Sequence, residues 1–170
     1  MNFQPKTAIA ACALALAMVL GGPAHAAPKD EAQIRSLVEQ WRLAFQKKDL
    51  AGVMSIYAPG KETVAYDIVP PLQYAGYDAY KQDYQEFLAQ FSGPLQVELR
   101  DIHIAADGSV GYMFALERLR GTMNSGEKAD FWLRATETYR KVKGRWYAVH
   151  DHISVPANLT TGKAIMDLKP

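Results

Sequence analysis

The stretch Phe131 to Ser154 constrains the fold more than any other part of the chain. Two runs rich in aromatic and β-branched residues flank Val142-Lys143-Gly144-Arg145, where Gly144 can supply the positive φ of a tight hairpin turn. The spacing predicts a long antiparallel hairpin. It also gathers a carboxylate, Glu137, with the one His-Asp-His cluster, His150, Asp151 and His152, so any chemistry is expected nearby.

Which hairpin residues share a face depends on the turn. A two- or four-residue loop sets Glu137 opposite His150 and Ala135 opposite His152, an acid–imidazole arrangement on one face. A three-residue loop with Gly144 as a bulge instead sets Glu137 opposite Val149 and Ala135 opposite Asp151. That register keeps Phe131, Leu133, Ala135, Tyr139, Tyr147, Val149 and Ile153 on one apolar face, and is favoured for that reason. Glu137 and Asp151 then point inward. Trp132, Arg134, Thr136, Thr138, Trp146, His150, His152 and Ser154 form an outer face suited to a dimer interface.

The strand pattern extends back to Pro94. Leu95, Val97 and Leu99 alternate with polar residues before the apolar phase shifts to Ile102 and Ile104, which predicts a bulge and a bend. Asp107-Gly108 and Asn124-Ser125-Gly126 mark the two intervening turns. Ahead of these strands the period is helical. Ile34, Leu37, Val38, Trp41, Leu43, Ala44 and Phe45 predict a helix over 30–48, and Asp49 caps a second over 50–58. A strand over 62–69 follows, then a third helix over 77–91 whose apolar stripe is rich in tyrosine. Buried hydroxyls need partners, so this helix is expected to line a polar cavity or reach the surface repeatedly.

The first 26 residues pair Lys6 with an apolar run from Ala8 to Leu20 and a small-x-small end, the pattern of a signal peptide cleaved after Ala26. The run is short for a membrane span, and no later stretch is apolar enough, so no stable membrane anchor is expected. The only cysteine, Cys12, lies in that run. The remainder carries 18 basic and 18 acidic side chains, a neutral balance that argues against nucleic acid. Residues 27–156 read as one domain and 157–170 as an extended tail.

The helix pair, the Thr63-Val-Ala-Tyr-Asp67 strand, the tyrosine-rich helix and the Tyr139-Arg-Lys-x-x-Gly-x-Trp-x-x-x-His-x-His hairpin resemble the nuclear transport factor 2-like superfamily, in its SnoaL-like or ketosteroid-isomerase-like branch. The resemblance implies a cone-shaped α+β fold, three N-terminal helices on a strongly bent, mostly antiparallel sheet that encloses a pocket. It implies dimerisation through the outer sheet face. It also places Asp67 at the position of a general base, with Trp41 and Glu137 where an oxyanion-binding tyrosine and a protonated aspartate stand in ketosteroid isomerases. Trp41 can donate through its indole N–H but is no phenol, a departure that counts against steroid isomerisation.

The candidate catalytic residues are therefore Asp67, Glu137 and Asp151. Trp41, Tyr57, Tyr66, Tyr80, Tyr84, Phe114 and Tyr139 are the candidate ligand-binding residues. No cofactor is expected; a metal would need His150 and His152 with Glu137 or His103, and only three histidines lie beyond residue 26. The expected function is an exported domain that binds a small hydrophobic or carboxylated molecule, with cofactor-free acid/base chemistry of isomerase, cyclase or dehydratase type. The alternative is a non-catalytic dimeric binding or assembly module. Catalysis predicts a closed cavity and a strongly raised pKa on Glu137 or Asp67. The module predicts carboxylates neutralised by Arg or Tyr inside the protein beside a small or filled cavity.

Overall fold

The computed structural model describes residues 28–170, and the expected leader and Cys12 lie outside them. Helix α1, Pro28–Gln46, buries Ile34, Val38, Trp41, Ala44 and Phe45 at the predicted spacing, while Leu43 falls off the stripe and is exposed. Asp49 caps α2 by accepting from the Gly52 N–H at 3.0 Å. This helix, Leu50–Met54, ends four residues before the expected boundary. Tertiary pairing overrides the local helical preference, because Ile56 and Ala58 are drawn into backbone hydrogen bonds with Ala148 at 2.8 Å.

Strand β1 is shorter than predicted, Val64–Tyr66, and an unpredicted two-residue strand β2, Tyr74–Ala75, pairs antiparallel to it. Helix α3, Tyr77–Ala89, follows and buries Tyr80, Asp83, Tyr84 and Leu88. Four long strands complete the chain: β3 Gln96–Asp107, β4 Val110–Thr122, β5 Lys128–Val142 and β6 Arg145–Ser154. The sheet order is β2-β1-β6-β5-β4-β3, with one parallel pairing, β1 on β6, and the rest antiparallel. The described residues thus form an α+β architecture: three helices on a strongly curled, unclosed six-stranded sheet whose concave side holds the core.

The predicted bend in β3 is a bulge between Arg100 and His103, with Asp101 at φ 52°, and the inward phase changes there from Val97 and Leu99 to Ile104 and Ala106. Helix α1 packs on β3 and reaches the start of β4 where Gly111 leaves room for Ile34. A Cβ at Gly111 would meet Ile34 Cδ1 at 2.5 Å.

The β5–β6 register differs from both sequence alternatives. Lys143 and Gly144, at φ 49° and 83°, form a two-residue turn of the kind that matches strand twist, so Val142 faces Arg145 and Tyr139 faces Ala148. Val149 is then an extra residue on β6. Beyond it Thr138 faces His150, Glu137 faces Asp151 and Ala135 faces Ile153. Trp146 and Ala148 point inward in place of Tyr147 and Val149, and Trp146 leaves the expected outer face to become 2% exposed. Its indole N–H donates to Asp30 Oδ1 at 3.3 Å, beside the Lys141–Asp30 ion pair at 2.6 Å.

The tail does not run extended throughout. Asn158 Oδ1 accepts from the N–H groups of Thr160 and Thr161 at 2.9 and 3.0 Å, and Ile165 N–H donates to Pro156 at 2.8 Å, folding 156–165 into a closed loop.

Candidate functional site

Helices α1 and α3 and the concave sheet face enclose a cavity of about 70 Å³. Trp41, Phe45, Phe87, Phe131 and Leu133 make its apolar wall, while Asp67, Asp83, Glu117, Tyr80 and Tyr84 supply its polar atoms. Among the described residues, Lys, Arg and His are absent from the lining.

Behind the cavity lies a tyrosine network organised on Asp151. The α3 spacing sets Tyr80 and Tyr84 one turn apart on the buried face, and Tyr57 enters from the segment after α2. Tyr80 and Tyr57 both donate to Asp151 Oδ2, at 2.7 and 2.9 Å. The Tyr84 hydroxyl joins them, 2.8 Å from that of Tyr57 and 3.3 Å from that of Tyr80, and accepts the Trp41 indole N–H at 3.2 Å. Asp151 Oδ1 is buried without a partner among the described residues.

Glu137 stands opposite Asp151 across the two strands, and Tyr139, two residues on and on the same face, donates to Glu137 Oε2. Burial first, and the neighbouring Asp151 second, push the Glu137 carboxyl well above the usual range. Burial also raises Asp151, but the hydroxyls of Tyr80 and Tyr57 hold it back. The two carboxyls titrate as a coupled pair, and Asp151 is the member whose ionised form the tyrosine hydroxyls favour.

The carboxylates on the cavity wall occupy different environments. Glu117 is 5% exposed and has no hydrogen-bond partner among the described residues; burial, then the charges of Asp151 and Asp67, push it up to about 8. Asp83 is raised to about 6, chiefly by burial. Asp67, just past the end of β1, is also raised by burial, but accepts the Ile68 N–H at 2.5 Å, which favours its ionised form. A protonated donor and a better-solvated acceptor thus face one cavity, the combination that acid/base chemistry requires.

Of the residues singled out from sequence, Asp67, Trp41, Tyr80 and Tyr84 line the cavity. Glu137, Asp151, Tyr57 and Tyr139 form the buried layer behind it. Trp41 spends its N–H on Tyr84 rather than on the cavity. Tyr66 and Phe114 are corrections: at 41% and 44% exposure they sit on the outer sheet face. His150 and His152 also face outward, their rings 4.8 and 5.7 Å from that of Tyr66, and His150 Nδ1 lies 2.8 Å from the Val64 carbonyl. The sheet separates them from Glu137, so the three-ligand metal set is not assembled. The described residues hold no cluster of three metal-ligating side chains.

Two site residues escape the sequence reading. Glu117 alternates in phase with the inward Met113, Ala115 and Leu119, and Asp83 shares the α3 stripe with Tyr80 and Tyr84. In both cases the detectable signal was an acid on an otherwise apolar face.

Residues 34–158 match the SnoaL-like domain family. An NTF2-like protein of unknown function from Pseudomonas putida KT2440 is 32% identical, the match covering 84% of this chain and 97% of that one at a TM-score of 0.75. A nuclear transport factor 2 (NTF2-like) superfamily protein from Salmonella enterica serovar Typhimurium is 16% identical over 81% of this chain and 98% of its own, with a TM-score of 0.70. A ketosteroid isomerase-like protein from Erwinia carotovora atroseptica, also 16% identical, shares the fold over 75% of this chain and 96% of its own at a TM-score of 0.64. No curated protein matches. The span of the family match and the identity to the Pseudomonas protein agree with the curled sheet described above, and the chain belongs to the SnoaL-like family of the nuclear transport factor 2-like superfamily.

Proposed function

We propose that this is an exported small-molecule-binding domain that moves a proton on a compact ligand without a cofactor. The observation that carries the reading is Glu117, buried, unpartnered and turned into the same cavity as Asp67. In this reading Asp67 takes a proton from carbon or oxygen of the ligand. Glu117, protonated at neutral pH, donates to the oxygen where negative charge develops. Asp151 acts through the tyrosines, holding Tyr80 directly and Tyr84 by way of Tyr57 against the cavity. The reaction class is isomerisation, cyclisation or dehydration, which need a donor and an acceptor but no redox partner.

A carboxylated ligand, one of the two expected classes, fits poorly because no lining side chain would neutralise it. The ligand must also be small, since drug-sized pockets run to about 300 Å³ and above. The test is deuterium exchange by NMR, in which small enolisable ketones and aminoketones are incubated with the protein in heavy water. Exchange that falls about a hundredfold or more in Asp67→Asn supports the reading. Absence of exchange with the whole panel would overturn catalysis.

A second reading rests on the outer sheet face, where Tyr66, Tyr112 and Phe114 are all more than 40% exposed. Three large aromatic rings on one open face suit a homodimer, with or without catalysis.

A further inference from the structure

The cavity opens beside a groove of about 220 Å³ that shares Asp67, Val69, Asp83 and Phe87 with it and adds Glu86, Tyr74 and Gln90. Cavity and groove together present four carboxylates, Asp67, Asp83, Glu86 and Glu117, and neither lining contains a Lys, Arg or His. Acidic side chains at a surface are ordinarily solvated and need no ligand. Here, however, Glu117 lies deep in the cavity at 5% exposure, turned into it with no hydrogen-bond partner among the described residues. A carboxyl so placed finds its hydrogen-bond partners only in what occupies the cavity, water or ligand.

We propose that the ligand is a compact organic ammonium compound, its apolar body in the aromatic cavity, its cation in the groove among Asp67, Asp83 and Glu86, and a polar atom on Glu117. The inference rests on the proton-transfer reading of the cavity and names the ligand class for it. Three properties of the site select this chemistry. An ammonium group has only donors, and the groove offers carboxylate acceptors on two sides, from α3 and from the segment after β1. Phe87 borders both spaces, so its ring can meet the cation at the boundary while Phe45 and Phe131 cover the hydrocarbon part. An anionic ligand would meet four acids and no counter-charge, and a purely apolar one would leave Glu117 unpaired.

The test is isothermal titration calorimetry of the full domain with three probes of nearly one shape, benzylamine, benzyl alcohol and benzoate. Benzylamine is expected to bind, benzyl alcohol about tenfold more weakly or worse, and benzoate not measurably. Affinity for benzylamine should fall as salt rises from 0.05 to 0.5 M, roughly two- to fivefold. Glu86→Gln, on the exposed face of α3 where folding is not at risk, should weaken benzylamine by about threefold and leave benzyl alcohol unchanged. Asp83→Asn should act in the same direction. Equal or tighter binding of benzyl alcohol would overturn the ammonium inference and leave the cavity reading standing. Failure of all three probes to bind at millimolar concentration would overturn both.

Discussion

Glu137 and Asp151 occupy directly opposed positions on β5 and β6, both almost wholly buried, with no Lys or Arg hydrogen-bonded to either among the described residues. Tyrosine hydroxyls take the place of counter-ions. Three of them, from Tyr57, Tyr80 and Tyr139, reach the pair, and each comes from a different part of the chain.

Removing one of these hydroxyls should therefore expose what the tyrosines contribute to the buried pair. Tyr80→Phe is expected to destabilise the fold by about 1–3 kcal/mol, read as a shift in the urea midpoint at unchanged slope. In the background of Asp151→Asn the same substitution should cost less, because the neutral amide asks less of its donor. An equal cost in both backgrounds would mean that the phenol matters for packing rather than for Asp151.

Stability should decline as the solution becomes more alkaline. Glu117 rises from an ordinary 4.5 to about 8 in the folded chain, so between those values the native state holds a proton that the unfolded state has lost. Its contribution is complete below about pH 4.5 and is lost as pH climbs through about 8. Asp83, raised from 3.8 to about 6, adds the same sign at lower pH. Glu117→Gln should be about 2–4 kcal/mol more stable than the wild type at pH 8.5 relative to their difference at pH 4.5. Thermal melts of both proteins across that range check the slope, and parallel curves would refute it.

The contact between α1 and β4 can be tested by volume. Gly111→Ala places a methyl 2.5 Å from Ile34 Cδ1 and 3.1 Å from the Ala105 carbonyl, and should cost about 1–3 kcal/mol. Ile34→Val removes the offending Cδ1, so the double variant should recover part of that loss despite carrying two substitutions. A simple sum of the two single costs would place the strain elsewhere.

For the outer face, Phe114→Glu should convert a dimer into a monomer in analytical ultracentrifugation while leaving the far-ultraviolet circular dichroism unchanged. A wild-type chain that sediments as a monomer at tens of micromolar would remove the dimer reading.

The sequence exposed the long-period features well. The helical stripe through Ile34, Val38 and Trp41, the Asp49 cap and the phase change after Leu99 each rest on several residues acting together, and each is present. What it hid was decided by single residues or by distant partners. The end of α2 depends on Ala148, about ninety positions later. Tyr66 and Phe114 look like core aromatics in composition, but strand parity turns them outward. Glu117 sits in plain alternation with Met113 and Leu119, yet its charge argues locally for the surface, and only the closed geometry around it shows why an acid stands there.

Val149 has a consequence for how this scaffold can change. Because Val149 is set aside at a bulge, the inward-facing positions pass from Trp146 and Ala148 to Asp151 and Ile153, and the contents of the cavity floor are set by where the strand bulges as much as by side-chain identity. Were Val149 drawn into regular pairing with the turn kept, His150 would face Glu137 and His152 would face Ala135, trading a carboxylate pair for an acid–imidazole pair without altering any residue. On such a strand the opening or closing of one bulge can accomplish what several point substitutions would otherwise be needed to do. Related chains with different chemistry on this sheet are then best compared by the position of the bulge before the identity of the residues beyond it.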